Sequence, residues 1–236
     1  MEPSEICSAQ MAVELPRVRL TRSYQKLLAG DPLTILAIGS SSTVGIGASS
    51  PDHTYPAQLK TALAKTFPNR TITMVKRGVS GQVAADMVAR LKFEVAQHQP
   101  DLVIWQVGTN AAIARIPPQT LTELMGETFA WLRSHKIDIA VIDPQFTDRL
   151  AQDEHYVSVV EAIAKTARVA SVLHIPRFET MQALAEASSA RRYLSRDRFH
   201  LNNAGYKCLS EFAMRSIVSG ILLADAAART TADRSQ

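Results

Sequence analysis

Short apolar runs alternate along the chain with stretches whose apolar residues recur every three to four positions. The runs are "LTILAI" (33–38), "TITMVKRG" (71–78), "DLVIWQVG" (101–108), "IDIAVIDP" (137–144) and "ASVLHIP" (170–176). Between them, "YPAQLKTALAKTF" (55–67), the segment 81–98, "QTLTELMGETFAWLRSH" (119–135) and "HYVSVVEAIAKTARVA" (155–170) repeat at helical spacing, with Pro56 in an opening turn that tolerates it. This alternation predicts βαβ units and a parallel sheet. The third run is almost continuously hydrophobic and is the expected central strand, buried on both faces. From Asn202 onward the pattern predicts a long closing helix whose Asn-rich start caps its free amides. The expected architecture is α/β, a three-layer α/β/α sandwich around a central parallel five-stranded sheet.

Composition leaves that picture in place and removes alternatives. With 236 residues, 46% hydrophobic and 20% charged, the chain has the makeup of a folded globular protein large enough for a full core. One domain over 31–228 is expected, with an N-terminal arm (1–30) packed on it and a flexible tail over 229–236. The net charge of +4 is scattered and forms none of the dense or aromatic-interleaved runs of a nucleic-acid surface, so no nucleic-acid partner is expected. The longest apolar stretches fall short of the ~20 residues that span a bilayer. No signal-peptide pattern opens the chain, although the sequence is compatible with a mature form restarted at a new Met. Cys7 and Cys208 are either two buried thiols or one disulfide tying the arm to the last helix, the second implying an oxidising compartment.

In an open parallel sheet, ligands bind beyond the carboxyl ends of the strands, so chemistry is sought in the loops that follow them. Those loops read "GSSSTVG", "RGVSG" and "GTNA", and "SRDRFHLNNAGY" precedes the last helix. Gly and Ser are ordinary turn residues. Together, however, these segments hold a complete set of parts. Ser41 at a strand end needs a base, itself oriented by a third group, before its hydroxyl is nucleophilic. His200 and Asp197 from "DRFH" supply both. Gly78 and the Asn110 amide stand where they can join the Ser41 backbone amide as donors to a developing oxyanion.

In this order the four segments resemble the sequence blocks of the SGNH hydrolases, also called the GDSL esterase and lipase superfamily. "GSSS" is similar to the first block with Ser41 as nucleophile, "RGVSG" to the second with Gly78, "GTN" to the third with Asn110, and "DRFH" to the last with Asp197 and His200. The resemblance runs from about Leu33 to the final helix. It implies a flavodoxin-like fold and a serine esterase working without cofactor or metal on a small-molecule or saccharide ester. A small acyl group, acetyl by family habit, is the expected leaving acid. The family usually carries Asp before the serine and this chain carries Ser40; Ser40 and Ser42 flank Ser41 as alternative hydroxyls, and the block favours Ser41. A non-catalytic carbohydrate-binding protein or an acyltransferase on the same fold are the competing readings.

The other histidines show no metal-ligand spacing. "GIGASS" at Gly45 is neither a full GxGxxG nor a P-loop, so no dinucleotide is expected. Trp105 and Met74 lie inside predicted strands and are expected in the core. Asp143 and Gln145, at the end of the fourth run, either line a substrate pocket or stabilise a turn with Pro144. An extracytoplasmic location is expected if the two cysteines pair.

Overall fold

A computed structural model describes residues 3–233. Strands β1 (Leu33–Gly39), β2 (Ile72–Gly78), β3 (Leu102–Gln106), β4 (Asp138–Ile142) and β5 (Leu173–Ile175) form one sheet in the order β2-β1-β3-β4-β5, every pair parallel. The helices are α1 (Thr21–Ala29), α2 (Ser41–Val44), α3 (Tyr55–Thr66), α4 (Ala84–His98), α5 (Thr109–Ile113), α6 (Pro118–Ser134), α7 (Glu154–Val169), α8 (Arg177–Ala187) and α9 (Asn203–Asp233). This is the expected three-layer sandwich with a flavodoxin-like strand order.

Each strand alternates its side chains between two cores because successive residues point to opposite faces. Ile35 and Ala37 of β1, Leu102 and Ile104 of β3 and Ala140 and Ile142 of β4 face α1, α3, α8 and α9. Leu36 and Ile38, Val103 and Trp105, and Ile139 and Val141 face α4, α6 and α7. Burial on both faces explains why these strands read as continuous apolar runs. Trp105 is 1% exposed and its indole N–H meets the Met87 sulfur. No helix among the described residues is long and apolar enough to cross a membrane.

Two regions extend the sequence pattern. The segment 177–194, to which the pattern assigns no element, forms α8 and a 3-10 turn at Ala190–Arg192. α9 continues through 229–233, so the stretch expected as a flexible tail is helical there; 234–236 lie outside the described residues, as do residues 1 and 2 of the arm. The arm itself forms a 3-10 helix at Glu5–Ala12. Cys7 and Cys208 are joined in a disulfide across 201 positions. Tyr193 adds a hydrogen bond from its hydroxyl to the Ile6 carbonyl at 2.9 Å, and Glu211 accepts from the Ser4 backbone at 2.9 Å.

The strand order reverses between β1 and β3: from β1 the chain goes first to β2 on one side and then crosses to β3 on the other. Crossovers leaving in opposite directions open a crevice at the carboxyl ends of β1 and β3. Ser41 and Asn110 follow those two strands directly.

Candidate active site

Ser41 is the first residue of α2, where the opening amides of a helix have no intrahelical carbonyl to meet. Its neighbours are engaged elsewhere. Ser40 is 3% exposed, and both its backbone amide and its hydroxyl donate to Gln106 Oε1, at 3.0 and 3.2 Å. Ser42 is 2% exposed and accepts from Arg177. Of the three hydroxyls, the Ser41 Oγ is the one that meets an imidazole, 2.9 Å from His200 Nε2. Gly39, just before the triplet, has no room for a side chain, since a Cβ there would lie 2.8 Å from Gln106 Oε1.

His200 comes from a tight turn closed by an antiparallel bridge between Leu194 and Leu201. At the centre of the turn, Asp197 Oδ1 accepts from the backbone amides of Phe199 and His200, both at 2.9 Å, and from the Ser195 hydroxyl at 2.6 Å. Its Oδ2 lies 2.6 Å from His200 Nδ1. Desolvation pushes the Asp197 pKa up, but the Ser195 and His200 side chains and the two amides outweigh it and hold the carboxyl far below the ordinary range. A carboxylate only accepts, so Nδ1 carries the proton and Nε2 is left to accept from Ser41.

The glycine-rich loop after α2 brings the serine and the imidazole together across 159 positions. Gly47 has φ +92°, and a Cβ on it would run into the Leu201 carbonyl and lie 3.0 Å from Ser195 Cβ. The Tyr206 hydroxyl donates to the Ile46 carbonyl at 2.8 Å, and Asn203 bonds both the amide and the hydroxyl of Ser49. "GIGASS" therefore serves as a latch onto the start of α9.

Gly78 ends β2 directly beside Gly39 of β1, and a Cβ on it would lie 2.8 Å from the Thr43 carbonyl carbon and meet the Val44 amide. The close approach of α2 thus requires glycine. Asn110 projects from α5, its Nδ2 donating to the Gln82 carbonyl at 2.8 Å. An amide nitrogen carries two hydrogens, so one remains to aim into the crevice.

Asp143 and Gln145 call for a correction. Each is 1% exposed. The Asp143 carboxylate accepts from the Phe178 amide at 2.9 Å and lies 3.1 Å from His174 Nε2. Gln145 donates to the Phe199 carbonyl at 2.9 Å. Both side chains are thus buried and bonded within the protein, which fits a structural part in the turn at Pro144 rather than an open pocket wall.

Sequence reading misses Arg177. This guanidinium is 1% exposed and makes no ion pair among the described residues. Instead Nε donates to the Asp143 carbonyl at 3.0 Å, Nη1 to the Ser42 hydroxyl at 2.9 Å and Nη2 to the Thr109 hydroxyl at 3.1 Å. One side chain from α8 thereby joins the segments that follow β1, β3 and β4. Burial lowers its pKa, opposed by Tyr156, Asp143, Tyr206 and Tyr55 around it. Burial likewise pushes the Tyr55 phenol up to about 12, against the Thr43 hydrogen bond and the Arg177 charge.

Residues 6–223 match the model of the non-GDSL lipase-like family. An arylesterase of Vibrio mimicus is 23% identical over 108 residues, covering 46% of this chain and 52% of the relative. A two-domain esterase active on acetylated mannans superposes with a TM-score of 0.72 at 20% identity, covering 87% of this chain and 54% of that one. The chain thus spans about half the length of each of these two proteins. A mutant of an acetyl-xylooligosaccharide esterase from Geobacillus Stearmophilus superposes with a TM-score of 0.68 at 19% identity, covering 78% of this chain and 94% of the other.

Proposed function

The chain belongs to the non-GDSL lipase-like family, within the SGNH hydrolases, and from that premise we propose that it is a serine esterase that removes small acyl groups, acetyl in the first instance, from a saccharide. The observation that carries the reading is the unbroken relay from Ser41 Oγ to His200 Nε2 at 2.9 Å and from Nδ1 to Asp197 at 2.6 Å. Esterases of acetylated mannan and acetylated xylo-oligosaccharide among proteins of this fold support the saccharide and the acetyl group.

In this mechanism His200 takes the Ser41 proton as the oxygen attacks the ester carbonyl, and Asp197 stabilises the imidazolium that forms. The Ser41 and Gly78 amides and the Asn110 side chain receive the oxyanion. The tetrahedral adduct collapses as His200 returns the proton to the leaving alcohol, giving an acyl-serine. Water, deprotonated by the same imidazole, releases the acid and restores the hydroxyl. Ser40 fits this scheme without the usual Asp, because its bonds to Gln106 fix the turn and leave the relay to Ser41.

The disulfide supports an extracytoplasmic site of action, since such bonds persist in oxidising compartments. Thiol titration of denatured, unreduced protein should find no free thiol. Fluorophosphonate labelling should modify Ser41, and S41A should lower turnover by about 10³ or more on p-nitrophenyl acetate. Full activity in S41A rejects the mechanism, and a preference for long-chain p-nitrophenyl esters rejects the small acyl group.

A further inference from the structure

A cavity of about 840 Å³ opens beside the imidazole loop, with Asp197 and Phe199 on its wall. Four arginines reach it from separate segments: Arg115 just past α5, Arg149 from the stretch between β4 and α7, and Arg191 and Arg198 from the approach to α9. All four are exposed. Arg115 is held by Asp153 at 2.7 Å. The side chains of Arg149, Arg191 and Arg198 make no ion pair or hydrogen bond among the described residues.

The carboxylates on the same wall do not balance them. Asp153 is occupied by Arg115 and Asp197 by the imidazole turn, which leaves Asp148 against three unpartnered guanidinium groups.

The side of the serine on which this cavity lies decides what it would hold. His200 must hand its proton to the leaving oxygen, so the alcohol half of the ester sits on the imidazole side, whereas the carbonyl oxygen turns towards Gly78 and Asn110. Through Asp197 and Phe199 the cavity adjoins the imidazole turn, and the arginines on its wall are assigned to the alcohol half of the ester. We infer that the acyl carrier is an anion, an acidic saccharide bearing carboxylate or phosphate groups. The inference rests on the esterase reading above and names its substrate class. Guanidinium forks match the paired oxygens of both anions, and a cavity of this volume accommodates a ligand of a few sugar rings.

Rates on acetylated oligogalacturonide, acetylated glucose 6-phosphate and acetylated xylo-oligosaccharide, each divided by the rate on p-nitrophenyl acetate, test the idea. At least one anionic ester should exceed the neutral saccharide in kcat/KM by about tenfold, and about 0.5 M salt should erase the advantage. The two anionic arms distinguish carboxylate from phosphate. R149A/R191A removes two exposed, unpartnered side chains and should cut the anionic-to-reference ratio by about tenfold, mainly through KM. Equal kcat/KM on charged and neutral saccharides, or a ratio indifferent to the double variant, overturns the inference. Failure to hydrolyse p-nitrophenyl acetate or any other ester counts instead against the esterase reading. Calorimetry with trigalacturonate and glucose 6-phosphate then still decides: binding by the native protein that weakens in R149A/R191A supports the anionic site, and no binding of either refutes it.

Discussion

Arg177 donates to the hydroxyl of Ser42 across 135 positions of chain, at 2.9 Å. The contact puts a buried cation directly behind the turn that carries Ser41 and ties that turn to α8, the helix that follows β5 at the opposite edge of the sheet from β2. Removing the side chain leaves two hydroxyls and a carbonyl without their donor, and a hole where a fully buried arginine stood. R177A should therefore cost about 3–5 kcal/mol, read as a shift in the urea midpoint. R177K keeps the charge but not the three-pronged geometry, and should recover part of that loss.

The depressed pKa of Asp197 has a definite sign in stability. The native carboxyl binds its proton more weakly than an unfolded one near 3.9, so its contribution is complete above that value and disappears as pH falls through the native one. D197N should be less stable than the native protein at neutral pH, and the gap should narrow towards pH 3. Since this side chain is 45% exposed, solvent screening keeps the effect modest. Turnover should suffer far more, by about 10⁴, because the amide no longer enforces the tautomer.

For Asn110 the expected effect lies in kcat. N110A removes the side chain proposed as an oxyanion donor, and kcat on p-nitrophenyl acetate should fall by about 10²–10³ with little change in KM. A change confined to KM would remove Asn110 from that role.

Gly47 and Gly81 form a matched pair for testing the latch. Both hold positive φ, +92° and +82°, but a Cβ at Gly47 meets the imidazole loop whereas one at Gly81 has nothing within 4 Å. Both alanine variants pay the same kind of conformational penalty, of order 1 kcal/mol. Only G47A should also slow fluorophosphonate labelling, by displacing His200 from Ser41. Equal labelling rates would show that the latch does not set the distance between them.

The sheet and the crevice were legible because doubly buried strands leave unbroken apolar runs, and because each candidate group follows such a run or precedes the last helix. Ser41, Gly78, Asn110, Asp197 and His200 were singled out that way. Arg177 left no trace, since a single arginine after Pro176 reads as surface, and only the fold reveals that α8 buries it against two hydroxyls and a carbonyl from three other segments. α8 escaped for a related reason: Arg177, Thr180, Met181 and Leu184 are all buried, so polar and apolar positions share one face and the helical period is blurred. Asp143 and Gln145 were left between a pocket wall and a turn, and their burial and internal hydrogen bonds favour the turn. A strand end marks the crevice only on average, and burial of a side chain there is decided by packing that the local pattern does not carry. Cysteine pairing was open because two thiols 201 positions apart say nothing of their distance until α9 is packed.

The bond between Cys7 and Cys208 closes the backbone into a loop that contains Ser41, Gly78, Asn110, Arg177, Asp197 and His200. A protease that cuts once within it, for example near the exposed Asp148 and Arg149, yields two peptides still linked through sulfur. Such clipped protein keeps its full mass until a reductant is added, and its halves stay close enough to hold one another in place. Survival among hostile proteases is then governed by the second cleavage, not the first.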